Sequence, residues 1–430
     1  MKNLFGPLSA PAHQILQELP VLIDKTFPLP GRFRPALAGA VAELSRLQTS
    51  SRGQRELSYL SRTNHLSAYL RYFLPWNIFR LCKLLPNLDL SLSPGDTILD
   101  LGCGPLSLAA ALWISRPELR KMPLELHCID HTARVLEAGK IFFARLAGPD
   151  CPWKIVTIRA GLSPAGTISL SRGKNSTGGK ARSGKPIARA GEKPAALVCA
   201  VNVFNEIYQK VSVNDRGSMM KAAGYSAQLL ISCAANSGSI LVVEPGVPFS
   251  GEFISCLRTV LIERNWPSLA PCPHCETCPF PGGGSGSGKK RWCHFAFDTT
   301  EAPAALHQLS AAAGIPKERA VLSFLHAGHI PAFRSRVSTD KQPVPGFSTR
   351  RPGGNRPASA GSEEPVRIIS DSFPLSDGKF GRYGCSRRGL ILAAGKRARV
   401  EACASGMLIN VPVNTNNRDG KSGALLAEIN

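Results

Sequence analysis

Apolar side chains recur at helical spacing in the N-terminal part of the chain. "RPALAGAVAELSRL" and "HLSAYLRYFLPWNIFRLCKLL" carry them with Arg and Lys interleaved. Residues 1–90 are therefore expected as a helical region with a basic face, where Arg71, Arg80 and Lys83 can meet phosphates. From 91 to 250 the pattern changes. Short apolar runs ("TILDLG", "LELHCID", "WKIVTIRA", "AALVCAVNVF", "GSILVVEPG") alternate with amphipathic stretches such as "TARVLEAGKIFFARL" and "SMMKAAGYSAQLLISCA". That alternation predicts a mainly parallel sheet wrapped by helices.

Two stretches lack any apolar period. Residues 171–193, "SRGKNSTGGKARSGKPIARAGEK", are Gly-rich and basic and are expected as a disordered insertion. Residues 335–366 are rich in Pro, Gly and Ser and read as a linker. Beyond them "VRIISDSF", "GLILAA", "ARVEAC" and "GMLINVPV" are short β-prone runs divided by turn residues, which predict a small β domain. The expected organisation is a helical region (1–90), an α/β domain (91–265), a cysteine-rich module (266–334), the linker, and a β domain (367–430).

The charge sharpens this picture. The 430 residues carry 52 Lys and Arg against 30 Asp and Glu, a net charge of +22. Such an excess favours a polyanionic partner, nucleic acid above all; the plain alternative is a solvated basic surface. No secretory signal and no apolar run of membrane-spanning length is visible, so a soluble, cytoplasmic protein is expected. Thirteen cysteines in a reducing compartment are not expected as disulfides. Cys82, Cys103, Cys128, Cys199, Cys233 and Cys256 stand singly in apolar surroundings and read as small buried side chains.

"ILDLGCGPLSLAAALWI" has the form of a strand, a glycine turn and a helix. Gly102 and Gly104 let the backbone turn sharply and approach a ligand closely. Asp130, ending "HCID", stands where a carboxylate accepts both hydroxyls of a ribose. A dinucleotide site would want a third glycine, where Ser107 stands. The D-L-G-C-G-P form instead resembles motif I of class I S-adenosylmethionine (SAM) methyltransferases. The resemblance implies that Asp100, Gly102, Gly104 and Asp130 hold SAM, the turn facing its methionine part and Asp130 its ribose. After the fourth strand, "NVFNEIYQ" puts Asn202, Asn205 and Glu206 at the carboxyl end of the sheet. Asn202 is a further cofactor-binding candidate; the same residues can also cap the following helix. No catalytic base is assigned.

Cys272, Cys275 and Cys278 form a C-x₂-C-x₂-C run, followed by Cys293 and, far downstream, Cys385. Such thiols can hold zinc or an iron–sulfur cluster. A zinc ribbon would need a second C-x₂-C pair. "PCPH…CP…WCHF", "FGRYGCSRRGL" and "VVEPGVPFSG" together resemble the methyltransferase-like family of small-ribosomal-subunit proteins, the bacterial Rsm-type proteins and mitochondrial assembly factors. The resemblance spans roughly 60–405. It implies a [4Fe-4S] cluster on Cys272, Cys278, Cys293 and Cys385, beside a SAM-binding domain that contacts small-subunit rRNA. Cys275 and the "GGGSGSGKK" stretch depart from the family pattern.

The fold class expected is therefore α/β: a class I SAM methyltransferase-like (Rossmann-like) domain with a helical N-terminal region and a small C-terminal β domain. The expected function is SAM binding and small-subunit rRNA binding in ribosome assembly or translation. The rivals are a catalytically active SAM-dependent rRNA methyltransferase and a zinc-binding nucleic-acid module. A radical-SAM enzyme ranks lower, because it needs a C-x₃-C-x₂-C run that binds SAM at the cluster itself.

Overall fold

The computed structural model describes residues 3–48, 63–170, 194–208, 211–212, 215–280, 291–329 and 363–429. The insertion expected at 171–193, nearly all of the linker expected at 335–366, and the Gly/Ser-rich stretch at 281–290 lie outside the described residues.

α1 (Ala10–Thr26) starts at Ser9, whose hydroxyl accepts from Ala12 N at 3.4 Å, and buries Ala12, Leu16, Leu19 and Ile23 on one face. α2 (Leu37–Gln48) follows. α3 (Thr63–Ala68) runs through a π-turn, Tyr69–Phe73, into α4 (Leu74–Leu84). Leu74 N donates to Tyr69 O, and Pro75 has no N–H to continue the regular ladder.

Among the described residues, the three cations expected on a basic face do not form one. Arg71 Nε donates to Asp24 Oδ1 at 2.8 Å, Arg80 donates to Val321 O at 3.3 Å, and Lys83 pairs with Glu301. α4 is buried nearly all round. Its cations therefore turn inward and take protein partners, as a buried charge must.

The main sheet uses β1 (Thr97–Leu101), α5 (Ser107–Ser115), β2 (Glu125–Asp130), α6 (Ala133–Ala147), β3 (Lys154–Leu162) and β4 (Ile168–Leu170). Next come β5 (Ala195–Val201), α7 (Phe204–Ile207), α8 (Arg216–Cys233), β6 (Ala234–Pro245) and α9 (Pro248–Glu263). Residues 266–334, set apart in the sequence as a cysteine-rich module, supply β7 (Ser268–Ala270), β8 (Phe295–Asp298), α10 (Ala304–Ala312) and β9 (Arg319–Gly328). The strand order is β4-β3-β2-β1-β5-β6-β9-β7, with β8 also paired to β9. β3, β2, β1, β5 and β6 are parallel, and β9 is wedged antiparallel beside β6. This is the class I methyltransferase arrangement expected from the sequence. Its strand order reverses between β1 and β5, where ligands enter such sheets. One apolar core packs α1, α4, α5 and α6 against the sheet, and a second packs α8 and α9.

The C-terminal β domain holds β10 (Glu363–Ile368), β11 (Phe373–Pro374), β12 (Phe380–Ser386), β13 (Gly389–Gly395), α11 (Arg397–Glu401), β14 (Leu408–Arg418) and β15 (Leu425–Ile429). β10 pairs with both β14 and β12, so the sheet closes on itself. Val366, Ile368, Ile391, Ile409, Val411 and Leu425 fill its interior. "ARVEAC", expected as β-prone, is the helix α11 instead. Only Val400 is buried there, and an Arg397–Glu401 pair at 2.8 Å spans one turn.

Candidate functional site

The glycine turn leaves β1 at the reversal point. Gly102 (φ +68°), Gly104 (φ +54°) and Leu106 (φ +60°) all take left-handed backbone, which throws α5 back over the sheet. Gly104 N donates to Asp130 Oδ2 at 3.2 Å, and Asp130 Oδ1 accepts from Thr132 N at 2.8 Å. Asp130 therefore ties the turn to the end of β2. Asp100 is buried, and its Oδ1 has no hydrogen-bond partner among the described residues. Burial, then the nearby Asp130 carboxylate, pushes the Asp100 carboxyl well above its usual range. An orphaned acid beneath a turn open to close approach suits a cationic donor, such as the amino group of a methionine moiety. Tyr69, which sequence reasoning missed, brings its hydroxyl within 3.9 Å of where a Gly104 side chain would begin. Burial raises its phenol, with Glu206 and Asp130 adding to the effect, so Tyr69 overlooks the same mouth.

Asn202 ends β5 in left-handed backbone (φ +56°), its N–H on Val243 O at 2.7 Å. The residues after it are held by Glu244. Its Oε1 accepts from Val203 N (3.1 Å) and Phe204 N (2.8 Å), and its Oε2 from Asn205 N (3.2 Å). A lone acid inside the apolar "SILVVEPG" was the available signal for this role. Burial outweighs the three donors and pushes the Glu244 carboxyl up to about 8 from 4.5. A folded value above the unfolded one means the native state binds the extra proton. The stability Glu244 contributes is thus full below about pH 4.5 and lost as pH rises through about 8. Denaturant melts between pH 5 and 8 should show wild type losing stability relative to Glu244→Gln, by at most about 1.4 kcal/mol per pH unit.

The cysteines meet at α9, β9 and β12. Arg258, on α9 and 3% exposed, donates from Nε to Cys272 Sγ at 3.2 Å and from Nη2 to His274 O at 2.8 Å. Burial pulls Arg258 down, but the Cys272, Cys278 and Cys385 sulfurs outweigh it and hold the guanidinium up. His274 Nε2 stands 3.2 Å from Cys385 Sγ; burial, then Arg258, lowers its imidazole to about 3. Ser323 on β9 fixes Cys293 by donating to its carbonyl at 2.7 Å. Arg367, across from Cys385 on β10, donates to Pro271 O at 2.9 Å and joins the β domain to the module.

Burial raises the Cys278, Cys293 and Cys385 thiols. Cys272 adds to the shift of all three, Cys278 to that of Cys293 and Cys385, and Cys293 to that of Cys385. Cys275 is also raised by burial, with Cys272 adding to it, and Cys278 likewise adds to the rise of Cys256. Cys272, Cys278, Cys293 and Cys385 thus act on one another, with Cys275 and Cys256 beside them. Among the described residues, no three His, Cys, Asp or Glu side chains close into a metal-holding group. Cys82, Cys103, Cys128, Cys199 and Cys256 are buried, Cys103 beside Cys128, while Cys233 is half-buried. No described helix is long and apolar enough to cross a membrane.

The chain resembles several solved structures at low identity. Magnesium protoporphyrin IX methyltransferase from Synechocystis, with bound SAM, is 10% identical; the match covers 67% of this chain and 96% of that one, with a TM-score of 0.29. A SAM-dependent methyltransferase from Thiobacillus denitrificans, in complex with S-adenosyl-L-homocysteine, is 12% identical, covering 59% and 91%, with a TM-score of 0.30. The fold stands on the strand order described above rather than on these similarities. No curated protein matches the chain. The family model described as mitochondrial small ribosomal subunit Rsm22 matches residues 193–343. That stretch, similar to the family over about a third of the chain, includes Asn202, Glu244, Arg258 and Cys272 to Cys293, but neither the glycine turn nor Cys385.

Proposed function

We propose that this protein binds SAM at the glycine turn, holds a [4Fe-4S] cluster on Cys272, Cys278, Cys293 and Cys385, and binds small-subunit rRNA in ribosome assembly or translation. The observation carrying the reading is the thiol grouping, which joins the methyltransferase-like sheet to the β domain around Arg258. The Rsm22-type segment supports the ribosomal part. The four thiolates would be the protein's ligands to the iron of a cluster. Arg258 and Arg367 offset the negative charge of such a centre. SAM rests on Asp100, whose orphaned oxygen a bound amino group would satisfy, and on Asp130 for the ribose.

Anaerobic purification with iron, sulfide and bound-RNA analysis tests the whole reading; zinc in place of iron would replace the cluster by the zinc-module alternative. For SAM, Asp130→Ala removes charge-assisted hydrogen bonds worth about 1.5–3 kcal/mol, roughly a ten- to hundredfold loss of affinity by calorimetry. Unchanged binding would move SAM away from Asp130. A second reading, active methyl transfer, is favoured by the mouth itself. Asn205 Oδ1 is buried without a partner among the described residues, next in the chain to Glu206, and can position an acceptor amine or base. Transfer of labelled methyl from SAM to small-subunit rRNA separates the two.

A further inference from the structure

The β domain has a connectivity that its sequence did not suggest. Around the closed ring the strands run β10, β12, β13, β15, β14 and back to β10. Numbered along the chain, that is one-two-three-five-four-one. β13 and β15, the third and fifth, are the parallel pair, and α11 lies between the third and fourth. This is the Greek-key barrel of the OB-fold, whose ligands lie over strands two and three between the loops joining strands one to two and four to five.

Those places hold suitable chemistry. Side chains alternate along each strand, and the interior set of Ile391, Ala393 and Leu425 leaves Leu392, Ala394 and Leu426 facing outward. Leu392 is nearly covered (4% exposed), and with Ala394 and Leu426 it lines a groove of about 720 Å³ over strands three, five and four, walled by Lys379 of the one-to-two loop, by Arg388 and by Asn414 and Asn416 of β14. On strand two, Tyr383 stands across from Leu392, its ring centroid 5.0 Å from that of Phe373 and tilted by 33°. Arg291 stands 5.1 Å over the Tyr383 ring and donates to Ser422 O in the four-to-five loop at 3.2 Å. A tilted aromatic pair with a guanidinium over one ring offers apolar and cationic surface to an unpaired base. The other half of the usual face is spoken for, because Cys385 and Arg367 dock it on the cysteine module.

We infer that this groove and the Phe373–Tyr383–Arg291 platform bind single-stranded RNA, bases inward and phosphates toward the rim. Charge decides the orientation. Asp377, Asp419 and Glu428 line the groove against Lys379, which pairs with Glu428 at 3.3 Å, and Arg388, which pairs with Glu364 at 2.7 Å, so acid is in excess and disfavours phosphate on the floor. The Asn amides and these acids instead suit the amino and carbonyl edges of bases. Arg291, Arg418 and Lys421 are exposed at the rim, on a chain of net charge +22. The inference rests on the rRNA reading above and names the surface that performs it.

The test is fluorescence anisotropy of the full chain with a labelled single-stranded RNA of about ten nucleotides, within the range one such barrel covers. Tyr383→Leu keeps bulk but removes the ring and should weaken binding about tenfold, whereas Tyr383→Phe should bind within about threefold of wild type. Arg291→Gln should flatten the log–log salt slope by about 0.7. Thermal midpoints matching wild type exclude misfolding. If wild type binds the strand and all three variants bind as well, RNA lies elsewhere and the inference falls alone. If wild type binds no single strand, the rRNA reading falls with it. If Tyr383→Leu and Arg291→Gln lose co-sedimentation with small subunits at unchanged RNA affinity, the groove holds a protein and the inference is overturned.

Discussion

Serine at Cys272, Cys278, Cys293 or Cys385 should each strip most of the bound iron and lower the thermal midpoint, while serine at Cys275 should do neither to a comparable degree. A hydroxyl buried without a partner costs roughly 1–3 kcal/mol by itself. Loss of metal linkage adds to this, because a ligand that binds only the native state stabilises it. The effect should be largest at Cys385. That residue sits 7% exposed on β12 against His274, so its loss also loosens the β domain from the sheet. Iron and sulfide content per chain, read beside calorimetric melts, distinguishes the outcomes. If Cys275→Ser strips the iron and Cys278→Ser does not, the ligand set is wrong.

The parts of the molecule legible in the sequence were those with local causes. Runs such as "TILDLG" and "LELHCID" alternate with amphipathic stretches, and the alternation alone requires a parallel sheet with helices on its faces. The glycine turn was legible for the same reason, since left-handed backbone at Gly102 and Gly104 leaves a mark in residue type. What escaped depends on distant partners. Arg71, Arg80 and Lys83 look like a basic face until Asp24, Val321 and Glu301 arrive from elsewhere in the chain to receive them. "FGRYGCS" carries too little β-branched content to read as a strand. Yet Gly384 is needed there, because a side chain at that place would lie 2.4 Å from Val366 Cγ1. The closure of the barrel turns on the pairing of Arg367 with Cys385, for which no local pattern exists. Glu244 and Arg258 did leave a signal, a charge within an apolar strand and within an apolar helix. Such residues are kept where burial is offset by specific partners, here three backbone N–H groups and a set of thiols.

Gly102→Ala should be among the most damaging single changes in the glycine turn, and Gly104→Ala much milder. Both positions have positive φ, which costs an alanine about 1–2 kcal/mol. They differ in what the new methyl meets. At Gly104 the nearest atom is the Tyr69 hydroxyl at 3.9 Å, an ordinary contact. At Gly102 the methyl would lie 2.0 Å from Val203 Cγ2 and 3.0 Å from its Cβ, so one of the two backbones must move. Overpacking of that kind adds about 1–3 kcal/mol. The combined loss, about 2–5 kcal/mol, is a large part of the roughly 5–15 kcal/mol that holds a domain folded. Val203 cannot yield freely, because its N–H is held by Glu244 along with those of Phe204 and Asn205. A shift there would disturb Asn202 and Asn205 together, so SAM affinity should fall with stability. Val203→Ala in the Gly102→Ala background should restore part of the melting temperature by removing the clash, leaving the backbone cost. Melts and SAM titrations of the two single variants and the double variant check this. Equal losses at Gly102 and Gly104 would mean that Val203 does not press on the turn.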